Sequence, residues 1–245
     1  MRPFLLLGAV LAAGITAHAG EQRLASGRAR TALIELYTSE GCSSCPPAER
    51  WLGALRDDPG LWRDFVPVEF HVNYWDRLGW PDRFATHEFT QREYAYAAAW
   101  GSGSVYTPCF VRDGAEWRDR TRPAAEPGPD AGVLAVAIAP TGAVRAEFIP
   151  AAGLRGNFEL HTALLGGGFS SRVTAGENRG EILRHEFVAL AMEARALTAA
   201  ADGAQRAEFM LPRAKISDAP RRGLAVWVTR RGDDVPVQAT GGWLE

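Results

Sequence analysis

Two cysteines separated by two residues form the feature of this sequence with the clearest chemical meaning. They stand in the segment Cys42-Ser43-Ser44-Cys45, after an apolar run that ends at Tyr37. A Cys-x-x-Cys at the start of a helix can close a small disulfide ring, and the positive end of the helix stabilises the thiolate of the first cysteine. The motif favours thiol–disulfide exchange, although a static disulfide or a metal site would use the same residues.

Strands and helices must position these cysteines, and the apolar pattern predicts where they run. An apolar, β-branched run predicts a buried strand before the motif, and apolar residues at helical spacing predict a helix after it. A second strand has one apolar face and one polar face, which carries Glu69 and His71. The predicted elements of this half are strands at 31–37, 65–72 and 105–111 and helices at 48–55 and 86–100.

The second half of the chain has the pattern of a β-rich domain. Residues 121–132 are rich in Pro, Ala and Gly and lack apolar periodicity, which predicts a linker. Turn signals then separate short apolar segments, an arrangement typical of an all-β, sandwich-like domain. The predicted strands lie at 133–139, at 143–149, at 157–165, from about 181, at 207–211 and at 224–229.

The first nineteen residues have the features of a secretory signal peptide. Met1-Arg2 precede a short apolar stretch, and residues 17–19 have the small-x-small pattern of a cleavage site, so removal of residues 1–19 is predicted. We therefore expect a secreted or periplasmic protein, in a compartment where disulfides persist. No later apolar run is long enough to predict a retained membrane anchor.

Composition and charge narrow the classes of partner. The formal net charge is only −2, and the basic residues are scattered along the chain. Without a basic stripe, neither nucleic acid nor an anionic membrane is expected as the main partner. The 245 residues, 47% of them hydrophobic, can bury one large core or two modest ones.

Segments along most of the chain match the motifs of a known family. They are Glu35 to Ala48, Phe70 to Asp76, Leu78 to Trp80, Val105 to Pro108 and, in the second half, Gly176 to Gly180 with Leu183 and His185. On these residues the sequence resembles thioredoxin-like proteins and, more closely, the secreted family catalogued as domain of unknown function 1223. The resemblance implies a thioredoxin-type fold for residues 29–120, whereas the family has no settled activity to carry over.

The resemblance to thioredoxins also implies roles for five residues. Cys42 would be the attacking nucleophile and Cys45 the resolving thiol. Pro108 would be the cis-proline beside the disulfide, with Thr107 before it on the backbone edge that receives substrate. Glu35 would be a buried carboxylate that helps to deprotonate the resolving thiol, although it stands one residue further from Cys42 than in thioredoxins. The alternative is that Glu35 merely faces solvent at a sheet edge.

Near the motif the sequence departs from the thioredoxin pattern. Gly41 stands where thioredoxin has a tryptophan, so substrate contact is predicted to come from Trp75 or Trp80. Both tryptophans also fit a purely structural place in the core. Cys109, the third cysteine, is predicted to be a small buried hydrophobe.

Other polar residues offer weaker candidates for a site. One ligand set of three thiolates and one imidazole would combine Cys42, Cys45, Cys109 and His71. Its spacing is not diagnostic of a metal site, so we assign no metal ligand and predict no cofactor. Glu177 and His185 form a second polar group, which a turn followed by a strand explains equally well.

These patterns together predict a protein of two domains. An α/β thioredoxin-like N-terminal domain, residues 29–120, would be followed by an all-β sandwich-like C-terminal domain, residues 133–245. The predicted function is an exported thiol–disulfide oxidoreductase that acts on protein or small-molecule thiols and disulfides. The alternatives are a non-enzymatic binding protein with a structural disulfide and a metal-binding protein that uses the same cysteines.

Overall fold

The computed structural model describes residues 20–119 and 128–245. The predicted signal peptide, residues 1–19, and residues 121–127 of the predicted linker lie outside the described residues, and the domain boundaries stay a prediction. None of the helices in the described ranges combines the length and the apolar character that a membrane crossing requires.

Two α-helices and fifteen strands form the regular structure of these ranges. The helices are α1 (Pro46–Ala54) and α2 (His87–Ala99). The strands up to the linker are β1 (Gln22–Ala25), β2 (Ala32–Thr38), β3 (Phe65–His71), β4 (Cys109–Arg112) and β5 (Ala115–Glu116). Those that follow it are β6 (Gly132–Ile138), β7 (Ala143–Pro150), β8 (Phe158–Gly167), β9 (Phe169–Arg172), β10 (Ile182–His185), β11 (Val188–Ala196), β12 (Thr198–Ala199), β13 (Gln205–Met210), β14 (Arg221–Arg230) and β15 (Pro236–Trp243).

One eight-stranded sheet joins the two halves of the chain. Its strand order is β15-β14-β8-β11-β3-β2-β4-β5. β2 and β3 run parallel, and their pairing ends with Thr38 opposite His71. β11 continues the sheet by pairing in parallel with β3, at Val188 opposite Glu69. The N-terminal strands therefore have no sheet of their own.

The predicted fold class is wrong. We expected an α/β thioredoxin-like N-terminal domain followed by an all-β sandwich-like C-terminal domain, whereas the described chain is mostly β-sheet with only two α-helices. Apolar alternation locates single strands but does not show which distant strand each one pairs with. The joining strand, Val188–Ala196, also escapes prediction, because four of its nine residues are alanine, the best helix former.

A second, five-stranded sheet packs against β8 and β14 of the first sheet. Its strand order is β1-β6-β7-β13-β12, and β1 joins it by placing Leu24 opposite Val136. Between the two sheets lies an apolar core that includes Leu134, Val136, Phe148, Phe158, Leu160, Leu224, Val226 and Val228. Burial of these side chains stabilises the packing of the two sheets.

The two helices lie on opposite faces of the β2–β3 pair. Side chains alternate along β2, so the strand contributes residues to the core under each helix. Ile34 and Leu36 pack in one core with Ala48 and Leu52 of α1. Leu33 and Tyr37 instead join a separate core that contains Phe89 and Tyr96 of α2. α2 begins at an N-cap, Thr86, whose side chain accepts a hydrogen bond from the backbone N–H of Phe89.

A buried ion pair holds α2 against the sheet. Arg92 Nε lies 2.7 Å from Glu35 Oε2, and Arg92 Nη2 lies 3.1 Å from Glu35 Oε1. The hydroxyls of Tyr37 and Tyr96 donate to the same carboxylate at 2.8 and 2.6 Å. Each oxygen of Glu35 therefore has one charged and one neutral donor. The Arg92 guanidinium also lies 5.1 Å from the ring centroid of Trp227, a cation–π contact.

Arg92→Met should be strongly destabilising, because it leaves the Glu35 carboxylate buried without its opposite charge. We expect a loss of about 3–5 kcal/mol in the free energy of unfolding, measured by urea denaturation. Arg63→Met is the control, since the Arg63–Asp64 ion pair is exposed and should change the free energy of unfolding far less than the buried pair. Equal losses in the two variants would contradict the structural role of the Glu35–Arg92 pair.

Candidate functional site

Cys42 and Cys45 form a disulfide between the end of β2 and the start of α1. Their Cα atoms lie 5.4 Å apart, and Cys45 is the N-cap of α1. Two successive turns lead into the helix: Cys42 N–H donates to the Ser39 carbonyl, and Cys45 N–H donates to the Cys42 carbonyl. The motif therefore occupies the strand-to-helix junction that the sequence predicts.

Few backbone donors are available to a thiolate at this helix start. Pro46 and Pro47 occupy the first turn of α1 and carry no N–H. The N–H of Ser43 is already bound, at 3.1 Å, by Glu177 Oε2, which also accepts from the Ser43 hydroxyl at 2.7 Å. The Glu177 carboxylate therefore competes with a Cys42 thiolate for the Ser43 N–H at the positive, N-terminal end of α1.

Both disulfide side chains are fully buried, with 0% of their surface exposed. Residues 173–181, here called the covering loop, connect β9 to β10 and contact the motif. The side-chain amide of Asn178 donates to the carbonyls of Glu40 and Cys42, each at 2.9 Å. Asn178 is itself buried, so these two bonds are shielded from water. The disulfide is thus closed off in this conformation.

Two of the three residues predicted to bind substrate, Trp75 and Thr107, contact each other next to Gly41. A Cβ on Gly41 would lie 3.0 Å from the Trp75 Cβ, so Trp75 packs directly on Gly41. The indole N–H of Trp75 donates to the Thr107 hydroxyl at 2.8 Å. Thr107-Pro108 is a cis peptide bond, and the next residue, Cys109, lies opposite Tyr37 of β2.

Trp80 has a different place, beneath the covering loop. Its indole N–H donates to Glu40 Oε2 at 2.8 Å, and a Cβ on Gly176 would lie 3.4 Å from the Trp80 Cβ. Of the two predicted tryptophans, Trp75 therefore lies beside Thr107, whereas Trp80 connects the covering loop to Glu40. Their roles in substrate binding stay predictions.

Glu35 lies on the face of the sheet opposite α1. It shares that face with Leu33 and Tyr37, and both of its oxygens are bound by Arg92 and the two tyrosines. The structure does not bring this carboxylate to the cysteines, although Glu35 is buried as the resemblance implies. Its predicted help in deprotonating Cys45 stays a prediction without a contact to support it.

The α1 face instead carries a buried cluster of six ionisable side chains. Each member is at most 5% exposed. We call it the carboxylate–histidine cluster, and its residues are Glu40, Glu49, Glu69, His71, Asp82 and His185. Glu40 lies two residues before Cys42, and Glu49 lies in the first turns of α1. The cluster therefore borders the disulfide motif.

Burial and opposite charges shift the acid–base equilibria within this cluster. Burial, followed by the neighbouring charge of Glu69, raises the pKa of Glu49 to about 7. Burial alone would lower the pKa of His185, but its hydrogen bonds to Glu40 and Glu69 outweigh that effect and raise the pKa to about 10. Against the effect of burial, the same hydrogen bonds to His185 lower the pKa of Glu40 and of Glu69, so the imidazolium and these two carboxylates stabilise each other's charged forms.

Local sequence patterns do not reveal this cluster as a unit. The alternation along β3 predicts Glu69 and His71 on one strand face, which the structure confirms, and gives His185 no role. Neither Asp82 nor Glu49 stands out in the sequence. Their only local signal is position, since Glu49 begins the helix after Cys45 and Asp82 follows the Trp80-Pro81 step.

Comparisons with known proteins match most of the chain to one family model and to solved structures. A family model described as "Protein of unknown function (DUF1223)" matches residues 33–229. The chain is similar to the X-ray crystal structure of protein AGR_C_4864 from Agrobacterium tumefaciens, with 25% identity and a TM-score of 0.60 over 88% of this chain and 95% of that chain. It is also similar to HBP35 of Porphyromonas gingivalis, with 17% identity and a TM-score of 0.54 over 89% of this chain and 76% of that chain, a likeness of fold alone. A search of curated proteins finds no match.

Cys109 should be a slowly reacting free thiol in the native, oxidised protein. It is 2% exposed and unpaired with another cysteine, and burial raises the pKa of its thiol to about 12. At pH 8 only about one thiol in 10⁴ would be ionised, and the thiolate is the reactive form.

Alkylation with iodoacetamide at pH 8, followed by mass analysis, tests this expectation. Native protein should remain unmodified over a time in which the urea-unfolded protein is fully alkylated at Cys109. Comparable rates in the two states, or modification of Cys42 or Cys45 in the native oxidised protein, would refute it.

Proposed function

This chain belongs to the family described as Protein of unknown function (DUF1223), and we propose that it is a thiol–disulfide oxidoreductase that works at Cys42 and Cys45. The observation that carries the proposal is the disulfide between these cysteines at the strand-to-helix junction. Trp75 packs on Gly41 and donates to Thr107, the residue before Pro108, and we propose that these residues form a surface on which a partner chain lies next to the motif. We also propose export to an oxidising compartment, on the basis of the predicted signal peptide.

The proposed reaction moves two electrons between the protein and a partner disulfide. In the reduced protein the Cys42 thiolate attacks one sulfur of the partner, a mixed disulfide forms and one partner thiolate leaves. The Cys45 thiolate then attacks the Cys42 sulfur, which releases the second partner thiolate and restores the Cys42–Cys45 disulfide. The partners are protein or small-molecule thiols and disulfides.

Full burial of both sulfurs means that exchange requires the covering loop to move. An attacking thiolate must approach a sulfur directly, and no surface of either cysteine is exposed in this conformation. The bonds from Asn178 and Glu177 to the motif are those that opening must break. The covering loop is therefore part of the proposed machinery.

The same burial supports a second candidate, a binding protein with a structural disulfide. Inert structural cysteines are buried, and their disulfides have low reduction potentials, below about −300 mV. Such a potential, together with no exchange activity in the reduced protein, would favour this candidate over the oxidoreductase.

Single cysteine variants test the exchange reaction. Cys42→Ser should reduce the rate of thiol release from a small aromatic disulfide to the background rate, because the attacking sulfur is lost. Cys45→Ser should still attack but should accumulate the mixed disulfide, detectable by mass. Cys109→Ser is the control and should keep the full rate, because Cys109 packs on the α2 face of the sheet. A Cys42→Ser variant as active as the control would rule out the proposed reaction.

Asn178→Ala should make the disulfide easier to reduce, because it removes two buried hydrogen bonds that hold the covering loop on the motif. Two bonds of about 0.5–1.5 kcal/mol each amount to about 1–3 kcal/mol, which corresponds to a roughly five- to 150-fold increase in the rate of reduction by dithiothreitol. Asn157→Ala is the matched control, since Asn157 is exposed, and its rate should equal that of the natural sequence. Equal rates in all three proteins would show that the covering loop does not limit access.

A further inference from the structure

We propose that the carboxylate–histidine cluster is a binding site for a divalent transition-metal ion, with Glu49, Glu69, His71 and His185 as ligands and Zn²⁺ as the preferred ion. The site is distinct from the disulfide and does not depend on the proposed exchange reaction. It also differs from the ligand set that the sequence suggests, because none of its donors is a cysteine.

Three donor atoms, from Glu69, His71 and His185, all lie within 4.8 Å of one another. Glu69 Oε1 lies 2.8 Å from His71 Nε2 and 3.2 Å from His185 Nδ1. Zinc bonds of 2.0–2.1 Å in a tetrahedron place neighbouring donor atoms about 3.3 Å apart, which is close to these distances. Glu49 stands outside this group of three, with its Oε2 3.7 Å from His185 Nδ1, and its side chain would have to move to become the fourth ligand.

The far nitrogen of each histidine is already held by a carboxylate. His71 Nδ1 lies 2.7 Å from Asp82 Oδ2, and His185 Nε2 lies 3.2 Å from Glu40 Oε1. Histidines that bind metals almost always donate their other ring N–H to a carboxylate or carbonyl, which fixes the ring and its tautomer. Both histidines of the cluster have this arrangement, and both direct the remaining nitrogen towards Glu69.

The groups behind the ligands are themselves fixed by hydrogen bonds. Asp82 accepts from the backbone N–H groups of Glu40 and Phe84, and Glu40 accepts from the indole N–H of Trp80. The Thr38 hydroxyl donates to Glu49 Oε1 at 2.7 Å, which leaves Glu49 Oε2 on the side of His185. A preorganised outer layer of this kind is a feature of metal sites in proteins.

One oxygen of the cluster has no partner within the residues that the structure describes. Glu69 is fully buried, and its Oε2 atom makes no hydrogen bond. An unsatisfied buried carboxylate oxygen is destabilising. If Glu69 bound an ion through both oxygens, Oε2 as well as the Oε1 that faces both histidines, the ion would satisfy it. This oxygen is therefore the observation that points from the hydrogen-bonded network to an ion.

Charge and ligand chemistry favour Zn²⁺. A divalent ion carries two positive charges, the same as the two protons that it would displace from the imidazoles. The net charge beside the four carboxylates would therefore not change when the ion binds. Imidazole nitrogens and carboxylate oxygens suit Zn²⁺, whereas Ca²⁺ and Mg²⁺ prefer oxygen alone. Because the protein itself supplies four buried ligands, the site has the closed character of a structural zinc centre.

Metal content and thermal stability of the full, oxidised protein test the proposal. After dialysis against a chelator and then against metal-free buffer, titration with Zn²⁺ alone should show one ion bound per chain. At a free concentration a hundred times the dissociation constant, Tm should rise by about 5–10 °C. Stoichiometric binding of Mn²⁺ or Fe²⁺ without Zn²⁺ would overturn the choice of ion. No binding of any of the three would overturn the site.

Variants then locate the ion. His71→Gln and His185→Gln should each lower the affinity for Zn²⁺ at least about tenfold, whereas His161→Gln, the matched control, should bind like the natural sequence. His161 is also buried but stacks on Trp227 elsewhere in the sheet. Cys42→Ser/Cys45→Ser should keep the ion, and loss of binding in that double variant would assign the metal to the cysteines instead.

A separate measurement covers variants that fail to fold. Co²⁺ added to the natural protein should give the visible d–d absorption bands of a tetrahedral nitrogen and oxygen site. Sulfur-to-cobalt charge-transfer bands, or the weak bands of an octahedral aquo ion, would contradict the proposed ligands without the use of any variant.

Discussion

Burial of charged side chains on both faces of the β2–β3 pair is the constraint on which the rest of the structure depends. A charge removed from water is costly unless opposite charges and donors surround it. On one face Glu35 requires Arg92, and on the other Glu69 requires His71 and His185. Two of these partners lie outside the strand pair, on α2 and β10. The charges on the two parallel strands are therefore compensated only because α2 and β10 pack against them, while β11 joins the second half of the chain to the same sheet by pairing with β3.

The covering loop follows from the same constraint. The hairpin of β9 and β10 brings His185 to Glu69, and the loop between these strands then lies over the disulfide motif. Trp80 strengthens the connection, because it binds Glu40 of the cluster and packs against Gly176 of the loop. Access to the disulfide and the state of the carboxylate–histidine cluster are thus linked through one hairpin and one indole.

Local patterns in the sequence predict most of the elements but not their assembly. Alternation places Glu69 and His71 correctly on one face, and the turn after Tyr37 places the cysteines correctly before a helix. The cluster forms only when His185 arrives from 116 residues further along the chain, through strand pairing that alternation does not encode. Glu35 likewise finds Arg92 57 residues away, on a helix whose polar positions look exposed in the sequence. The errors thus concern strands without a clear pattern, such as the alanine-rich Val188–Ala196, and pairings at long range, about which single-strand patterns carry no information.

The number of backbone N–H groups free to stabilise a Cys42 thiolate also determines whether oxidation or reduction of this site is favoured. A low thiolate pKa stabilises the reduced form and makes a disulfide a strong oxidant. Here two prolines remove N–H groups from the helix start, and Glu177 occupies the Ser43 N–H. Both features withhold stabilisation from a Cys42 thiolate, while the covering loop protects the disulfide. Within the proposed function, the oxidised form is therefore the stable resting state, and the reduced form is a donor rather than an acceptor of electrons.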